Sequence, residues 1–154
     1  MRLEKDYAEF IELLNGHSVQ YLVVGAYAVS YYARPRNTGD IDFFVDNSSE
    51  NISNLLQVLK KFGFTELDLS PNDLKGSDNI IQLGYEPVRI DIMTGISGVS
   101  FKKAYKNKVR DKLGDQPVYF ISLKDLIANK KATDRTQDKA DAELLEKYQN
   151  FDIQ

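Results

Sequence analysis

Two aspartates separated by one residue, Asp40 and Asp42, are the side chains of this sequence best suited to chemistry. The surrounding segment from Thr38 to Val45 is rich in strand-forming residues and bounded by turn-forming residues, which predicts a β-strand. Side chains alternate faces along a strand, so both carboxylates point the same way. At about 6 Å apart they repel each other by roughly 2–3 kcal/mol at an effective dielectric constant near 20. The pair therefore predicts a site for a divalent cation.

Asp91 is the third carboxylate that such a site could use. It lies in a second predicted strand, where it points away from Ile90 and Ile92. If this strand is a neighbour of the first, three carboxylates converge at one end of a sheet and can hold one or two Mg²⁺ (or Mn²⁺) ions, leaving positions for phosphate oxygens. Asp91 taken alone could instead pair with Arg89 or with an exposed lysine. The three acids together favour a metal site.

A glycine with a small neighbour, Gly25-Ala26, follows a short apolar strand and precedes a predicted helix. Such a turn lets backbone N–H groups at a helix N-terminus approach phosphate oxygens closely. A glycine between a strand and a helix is most often only a turn residue. Its position shortly before Asp40 makes it a candidate for nucleotide binding.

Arg36 and Thr38 lie in the loop before the acidic strand, where an arginine could clamp a triphosphate with two hydrogen bonds; the alternative is a solvated loop. Lys130 lies on the apolar stripe of a predicted helix with Leu126 and Ile127. A lysine there either extends to solvent or meets an anion, and a metal-bound phosphate would be such an anion.

Asp138 and Asp141 lie near the start of the last predicted helix, on the face that carries Leu145. The helix macrodipole favours acidic residues in a first turn, which is a sufficient explanation of their presence. They are also candidates for supporting the site or orienting an acceptor.

The hydrophobic pattern predicts how these residues are positioned. It indicates helices that end near residue 16 and span about 26–33, 48–62, 123–132 and 135–148, and strands over 20–25, 40–45, 64–69, 79–85, 88–93 and 118–121. Residues 101–111 fit a helix or a strand. The short connections predict a single domain over residues 1–154 of the α+β (mixed α/β) class, with one mixed sheet flanked by helices.

Composition narrows the class of protein. A net charge of −3 and a pI near 5.2 argue against a general nucleic-acid binder. The absence of cysteine excludes disulfides and thiolate chemistry and suits a reducing compartment. The charged start and the lack of a long apolar run predict a soluble cytoplasmic protein with no membrane partner.

These motifs resemble the nucleotidyltransferase superfamily typified by DNA polymerase β and the minimal nucleotidyltransferases. The resemblance rests on Gly25-Ala26, on Asp40-Ile41-Asp42 and on Asp91. The run from Arg36 to Asp42 and the tail from Leu126 to Asp141 are similar to a bacterial branch of small stand-alone members. That branch includes the nucleotidyltransferase-like toxins of abortive-infection systems.

The resemblance implies a magnesium-dependent enzyme that moves a nucleoside monophosphate from an NTP such as ATP to an acceptor hydroxyl and releases pyrophosphate. The metal-binding catalytic residues would be Asp40, Asp42 and Asp91, the nucleotide-binding residues Gly25, Ala26, Arg36, Thr38 and Lys130, and the supporting or acceptor residues Asp138 and Asp141. Many active members have Gly-Ser where this chain has Gly25-Ala26, a change that backbone contacts to phosphate would survive.

The sequence leaves the acceptor open between a small molecule, tRNA and a protein. Two alternatives to a housekeeping enzyme also remain open at this point. One is a non-catalytic nucleotide-binding scaffold, and the other is a toxin that modifies tRNA or protein and has an antitoxin partner.

Overall fold

A computed structural model describes residues 3–64 and 69–153 of the chain. Within them the helices are α1 (Lys5–Gly16), α2 (Gly25–Tyr32), α3 (Ser49–Phe62), α4 (Phe101–Lys106), α5 (Leu123–Lys131) and α6 (Thr136–Ile153), with a 3-10 turn at Pro71–Leu74. The strands are β1 (Tyr21–Val24), β2 (Asp40–Val45), β3 (Ile80–Leu83), β4 (Arg89–Met93), β5 (Val109–Leu113) and β6 (Gln116–Phe120). No helix of the described segments combines the length and the apolar character needed to cross a membrane.

The strands form one mixed sheet in the order β3-β4-β2-β1-β6-β5. Sequence neighbours β1/β2, β3/β4 and β5/β6 pair antiparallel, whereas β2/β4 and β1/β6 pair parallel. All four residues of β1 are buried, as expected for an inner strand covered on both faces. The predicted fold class, one mixed sheet flanked by helices, is confirmed.

The two faces of β2 have different roles. On one face Phe43 packs against Phe10 of α1, with ring centroids 5.5 Å apart. On the other face Phe44 packs against Phe101 of α4 at 5.1 Å. Because alternate residues share a face, Asp40 and Asp42 lie on the Phe44 side at the beginning of the strand.

The parallel pairing of β2 with β4 brings the predicted acidic residues together. Its register places Asp42 beside Asp91 and Asp40 beside Arg89. The two strands are far apart in sequence, but they are direct neighbours at the centre of one half of the sheet. This register fixes the geometry of the candidate site.

Several predicted boundaries change. Residues 101–111, which fitted either a helix or a strand, contain both, because α4 ends at Lys106 and β5 begins at Val109. The strand predicted over 118–121 begins earlier, at Gln116, and the one predicted over 79–85 is shorter. The last helix continues to Ile153 instead of ending near 148, since its hydrogen bonding outlasts the apolar periodicity on which the prediction depended. Most of the strand predicted over 64–69 lies outside the described residues.

A buried asparagine joins the strand ends to α3. Asn51 is 4% exposed, and its Oδ1 accepts a hydrogen bond from the backbone N–H of Gln20 at 2.7 Å. Its Nδ2 donates to the carbonyl oxygens of Gln20 (3.1 Å) and Asp46 (2.8 Å). One side chain thus bonds to backbone groups just before β1 and just after β2, next to the backbone hydrogen bond from Asp46 N–H to the Gln20 carbonyl oxygen.

We expect Asn51→Ala to lower the free energy of unfolding by about 2–4 kcal/mol, because the buried side chain loses three hydrogen bonds to the backbone. Urea unfolding measures the change. The matched control is Asn54→Ala on the same helix, since Asn54 is partly exposed and makes no side-chain hydrogen bond within residues 3–64 and 69–153. Equal losses from the two substitutions would contradict the assigned role of Asn51.

Candidate active site

Three carboxylates cluster on one face of the neighbouring inner strands β2 and β4. One oxygen each from Asp40, Asp42 and Asp91 lies within 4.8 Å of the others. Two of the acids come from the start of β2 and the third from the middle of β4, so the parallel register of these strands brings them together. Carboxylate oxygens are the ligands preferred by Mg²⁺ and Mn²⁺, and these three could hold such an ion. We refer to them below as the acidic trio.

Two members of the acidic trio are held by hydrogen bonds. The Arg89 guanidinium donates from Nε to Asp91 Oδ1 (2.8 Å) and from Nη2 to both Asp91 Oδ2 (3.0 Å) and Asp40 Oδ2 (2.9 Å). The Thr38 hydroxyl donates to the other Asp40 oxygen at 3.0 Å. Of the alternatives considered for Asp91, the pairing with Arg89 is present, and its oxygen also lies within 4.8 Å of those of Asp40 and Asp42. Burial raises the pKa of Asp91, and the Arg89 hydrogen bonds oppose that rise.

Arg89 is the residue of this cluster that sequence reasoning did not place in the site. The available signal was its spacing, since residues i and i+2 of a strand share a face and Arg89 must lie beside Asp91. The contact with Asp40 depends on the pairing of β2 with β4, which the sequence alone does not fix.

Asp42 is the uncompensated member of the trio. Its carboxylate has no side-chain hydrogen bond within the described part of the chain. Burial, followed by the charges of Asp40 and Asp91, raises its pKa to about 7, and Lys130 and Arg89 only partly oppose the rise. A carboxylate that lacks donors and faces two like charges suits a bound cation. The three carboxylates of this site therefore fit a divalent metal as ligands.

The start of α2 lies directly against Asp42. Gly25, its first residue, has a φ of +67°, and a Cβ at this position would lie 2.1 Å from Asp42 Oδ2. The preceding Val24 provides no side-chain cap, so N–H groups of the first turn, including that of Ala26, have no partner within the helix. Backbone donors at this helix N-terminus are therefore adjacent to the acidic trio.

The four other charged candidates form a closed network. Arg36 Nη1 and Nη2 donate to the two carboxylate oxygens of Asp141 at 2.8 and 3.0 Å. Lys130 Nζ lies 3.1 Å from Asp138 and 3.5 Å from Asp141. Lys130 and both acids are more than 90% buried. Of the alternatives weighed for Lys130, the structure shows that it meets an anion, and the anions are the two aspartates of α6.

Hydrogen bonds keep both acids of this network ionised. Burial acts to raise the pKa of Asp138, but donors from Thr133 and Lys130 outweigh it, and the pKa is lowered. The pKa of Asp141 is lowered in the same way by donors from Arg36 and Gln137. The two anions face Arg36, Lys130 and also the exposed Arg135, whose Nε lies 3.9 Å from Asp138. The network acts on the acidic trio through charge, since Lys130 opposes the rise in the pKa of Asp42.

Residues 3–152 match the profile of a family described as "Nucleotidyl transferase of unknown function (DUF2204)". The chain belongs to this nucleotidyltransferase family. The match confirms the predicted resemblance to the nucleotidyltransferase superfamily. No curated protein matches the sequence.

A solved structure supports the fold of this nucleotidyltransferase chain. The fold is similar to the crystal structure of the lincosamide antibiotic adenylyltransferase LnuA with lincomycin bound, with a TM-score of 0.57 and 15% sequence identity. The superposition covers 95% of this chain and 98% of that one. At such low identity the similarity concerns the fold.

We expect the stability of the metal-free protein to depend on the ionisation of Asp42. Its pKa is about 7 in the folded protein and near 3.8 otherwise, so the folded state binds this proton more tightly. The stability that this protonation of Asp42 contributes to folding is fully present below pH 4 and is lost as the pH rises through 7. Asp42→Asn removes this loss, so its advantage over the wild type should grow from pH 4 to 8 and reach about 1–3 kcal/mol.

Urea unfolding in EDTA across this pH range measures that difference. Asp115→Asn, in the exposed turn between β5 and β6, is the control and should show no pH-dependent difference from the wild type. A constant difference between Asp42→Asn and the wild type from pH 4 to 8 would contradict the elevated pKa.

We expect Gly25→Ala to destabilise the protein by about 2–4 kcal/mol, because it adds a clash with Asp42 to the strain of a positive φ. Gly84→Ala isolates the strain, since Gly84 has a φ of +75° and its added Cβ would meet only Val88 O at 3.6 Å. Removing the clashing carboxylate with Asp42→Ala should restore part of the stability lost in Gly25→Ala. Strictly additive effects in this double-mutant cycle would show that Gly25 and Asp42 are independent.

Proposed function

We propose that this protein is a Mg²⁺- or Mn²⁺-dependent nucleotidyltransferase that transfers a nucleoside monophosphate from an NTP such as ATP to an acceptor hydroxyl, with release of pyrophosphate. The family match gives the class of enzyme. The observation that carries the mechanism is the acidic trio beside the open N-terminus of α2. Carboxylates for a metal next to backbone donors for phosphate are what a metal–triphosphate complex requires.

In this proposal the acidic trio holds the metal. Asp40 and Asp42 would hold the ion that carries the triphosphate, and Asp91 would take part in holding a second. When bound, the metal would neutralise the phosphates and lower the pKa of the acceptor hydroxyl. Thr38 and Arg89 would keep Asp40 oriented through its two oxygens.

The phosphates would be held by backbone and ammonium donors. Gly25 and Ala26 present N–H groups at the start of α2, and neither has a side chain large enough to prevent close approach. An ammonium carries three N–H donors; one from Lys130 is donated to Asp138 at 3.1 Å and Asp141 lies 3.5 Å away, so a donor remains for a phosphate oxygen. Lys130 is thus supported by the two acids of α6 in this assignment.

Arg36 would contribute to nucleotide binding in a different way from a free clamp. Both of its terminal nitrogens already bond to Asp141, so its contribution would be a fixed position for the loop. That loop carries Thr38 next to Asp40.

The reaction itself would be an in-line displacement in which the acceptor oxygen bonds to the α-phosphorus, the bond to the bridging oxygen breaks, and the hydroxyl proton passes to solvent as pyrophosphate leaves.

One observation favours the second candidate, a non-catalytic nucleotide-binding scaffold. Arg89 already neutralises part of the acidic trio without a metal. A scaffold of this kind would bind NTP but transfer nothing. A toxin is a biological variant of the first candidate. It would modify tRNA or protein, arrest growth on expression and be silenced by an antitoxin partner.

We expect the purified protein to transfer α-labelled nucleotide from one of the four NTPs to a component of a cell extract when Mg²⁺ is present. Asp42→Asn and Asp91→Asn should lower this transfer by roughly 1,000-fold, which corresponds to about 4 kcal/mol of lost transition-state stabilisation. Asp115→Asn changes charge equally at an exposed turn and should keep full transfer. Separating labelled small molecules, RNA and protein identifies the acceptor class.

The same material distinguishes the scaffold from the enzyme. A melting temperature raised by Mg²⁺ with NTP, in a protein that labels nothing in any extract, would favour the scaffold. Full transfer by Asp42→Asn would overturn the proposed mechanism.

A further inference from the structure

We propose that Arg89 is a built-in counter-cation of the acidic trio, which makes the site bind Mg²⁺ weakly by itself and strongly together with a triphosphate. The inference rests on the proposed function, because it concerns the order in which metal and nucleotide occupy that site. It assigns a positioning role to a residue whose guanidinium bonds to two members of the trio.

The geometry of Arg89 is that of a cation bound by two ligands. One guanidinium makes three hydrogen bonds of 2.8–3.0 Å to two carboxylates on neighbouring strands. The register sets this contact, since Arg89 is the direct strand partner of Asp40 and precedes Asp91 by two residues on the same face. The Tyr7 hydroxyl donates to the Arg89 carbonyl oxygen at 3.1 Å and fixes its backbone.

The charges predict the consequence. With all three acids ionised the trio carries −3, and Arg89 reduces this to −2. A dication held by the same carboxylates meets the guanidinium at short range, which at a partly exposed site weakens its binding by roughly tenfold or more. A metal–triphosphate complex has a net negative charge, so the same guanidinium attracts it. One residue thus discriminates between the free metal and the metal carried by nucleotide.

A third carboxylate, that of Glu86, is an alternative partner for the Arg89 guanidinium. Glu86 Oε1 lies 3.6 Å from Nη1, and the Glu86 side chain is 66% exposed. The guanidinium can shift its hydrogen bonds towards Glu86 when Asp40 and Asp91 bind a cation. It therefore does not have to be buried unpaired in the loaded site, which would carry a large penalty.

The test compares three variants. Arg89→Met removes the charge and keeps most of the aliphatic volume, and Arg89→Lys keeps the charge. Arg110→Met is the control, because Arg110 is exposed on β5 and forms no ion pair within the described ranges. Melting temperature against Mg²⁺ concentration, without nucleotide, gives an apparent dissociation constant for each protein.

We expect Arg89→Met to bind Mg²⁺ alone at least about tenfold more tightly than the wild type, and Arg89→Lys and Arg110→Met to resemble the wild type. With saturating Mg²⁺ and a non-hydrolysable NTP analogue the order should reverse, with the analogue binding the wild type more tightly than Arg89→Met. If Arg89→Met does not fold, Arg89→Gln removes the charge while keeping hydrogen-bonding groups and is measured in the same way.

Equal or weaker binding of Mg²⁺ alone by the neutral variants would overturn the proposal and leave Arg89 as an orienting group only. The two proposals fail in different measurements. A wild type that binds no NTP analogue would refute the proposed function, whereas the comparison with Mg²⁺ alone would still decide the role of Arg89.

Discussion

Repulsion among three carboxylates is the constraint on which the rest of this site depends. The parallel pairing of β2 with β4 forces Asp42 and Asp91 side by side, with Asp40 on the same face. These charges are compensated unequally, because Arg89 and Thr38 donate hydrogen bonds to Asp40 and Asp91, whereas Asp42 has no side-chain hydrogen bond within the described residues and Lys130 and Arg89 only partly oppose the rise in its pKa. The electrostatic cost is therefore concentrated on one carboxylate, at the point where the three acids face the start of α2.

The network of Arg36, Lys130, Asp138 and Asp141 links parts of the chain that are far apart in sequence. Arg36 bonds to Asp141 across 105 residues of sequence and so ties the loop before β2 to the last helix. The same loop carries Thr38, whose hydroxyl bonds to Asp40. A chain of contacts thus connects α6 to the first carboxylate of the trio. Because Lys130, Asp138 and Asp141 are buried and the Arg36–Asp141 pair has two hydrogen bonds, this network holds the loop in a fixed position.

The sequence predicts the features that depend on neighbouring residues. It does not predict those that depend on contacts between residues far apart in the chain. The carboxylate pair of β2, the acid of β4 and the turn at Gly25 follow from local alternation and from residue types. The helix-to-strand change within residues 101–111 was ambiguous because its lysines lie on the surface in either structure. The pairing of Arg36 with Asp141, and the reach of Arg89 to Asp40, depend on strand register and helix docking, which no local pattern contains.

Gly25 and Asp42 differ in how strongly they support a bound nucleotide or metal. A glycine before a helix suggests close approach of a phosphate, but here the positive φ of Gly25 and the contact with Asp42 already account for the glycine. The glycine is therefore not independent support for nucleotide binding. Asp42 carries more weight, because an asparagine of nearly the same shape would relieve the repulsion and stabilise the sheet. A fold without use for a cation gains nothing from a buried carboxylate there, whereas a metal site requires that charge.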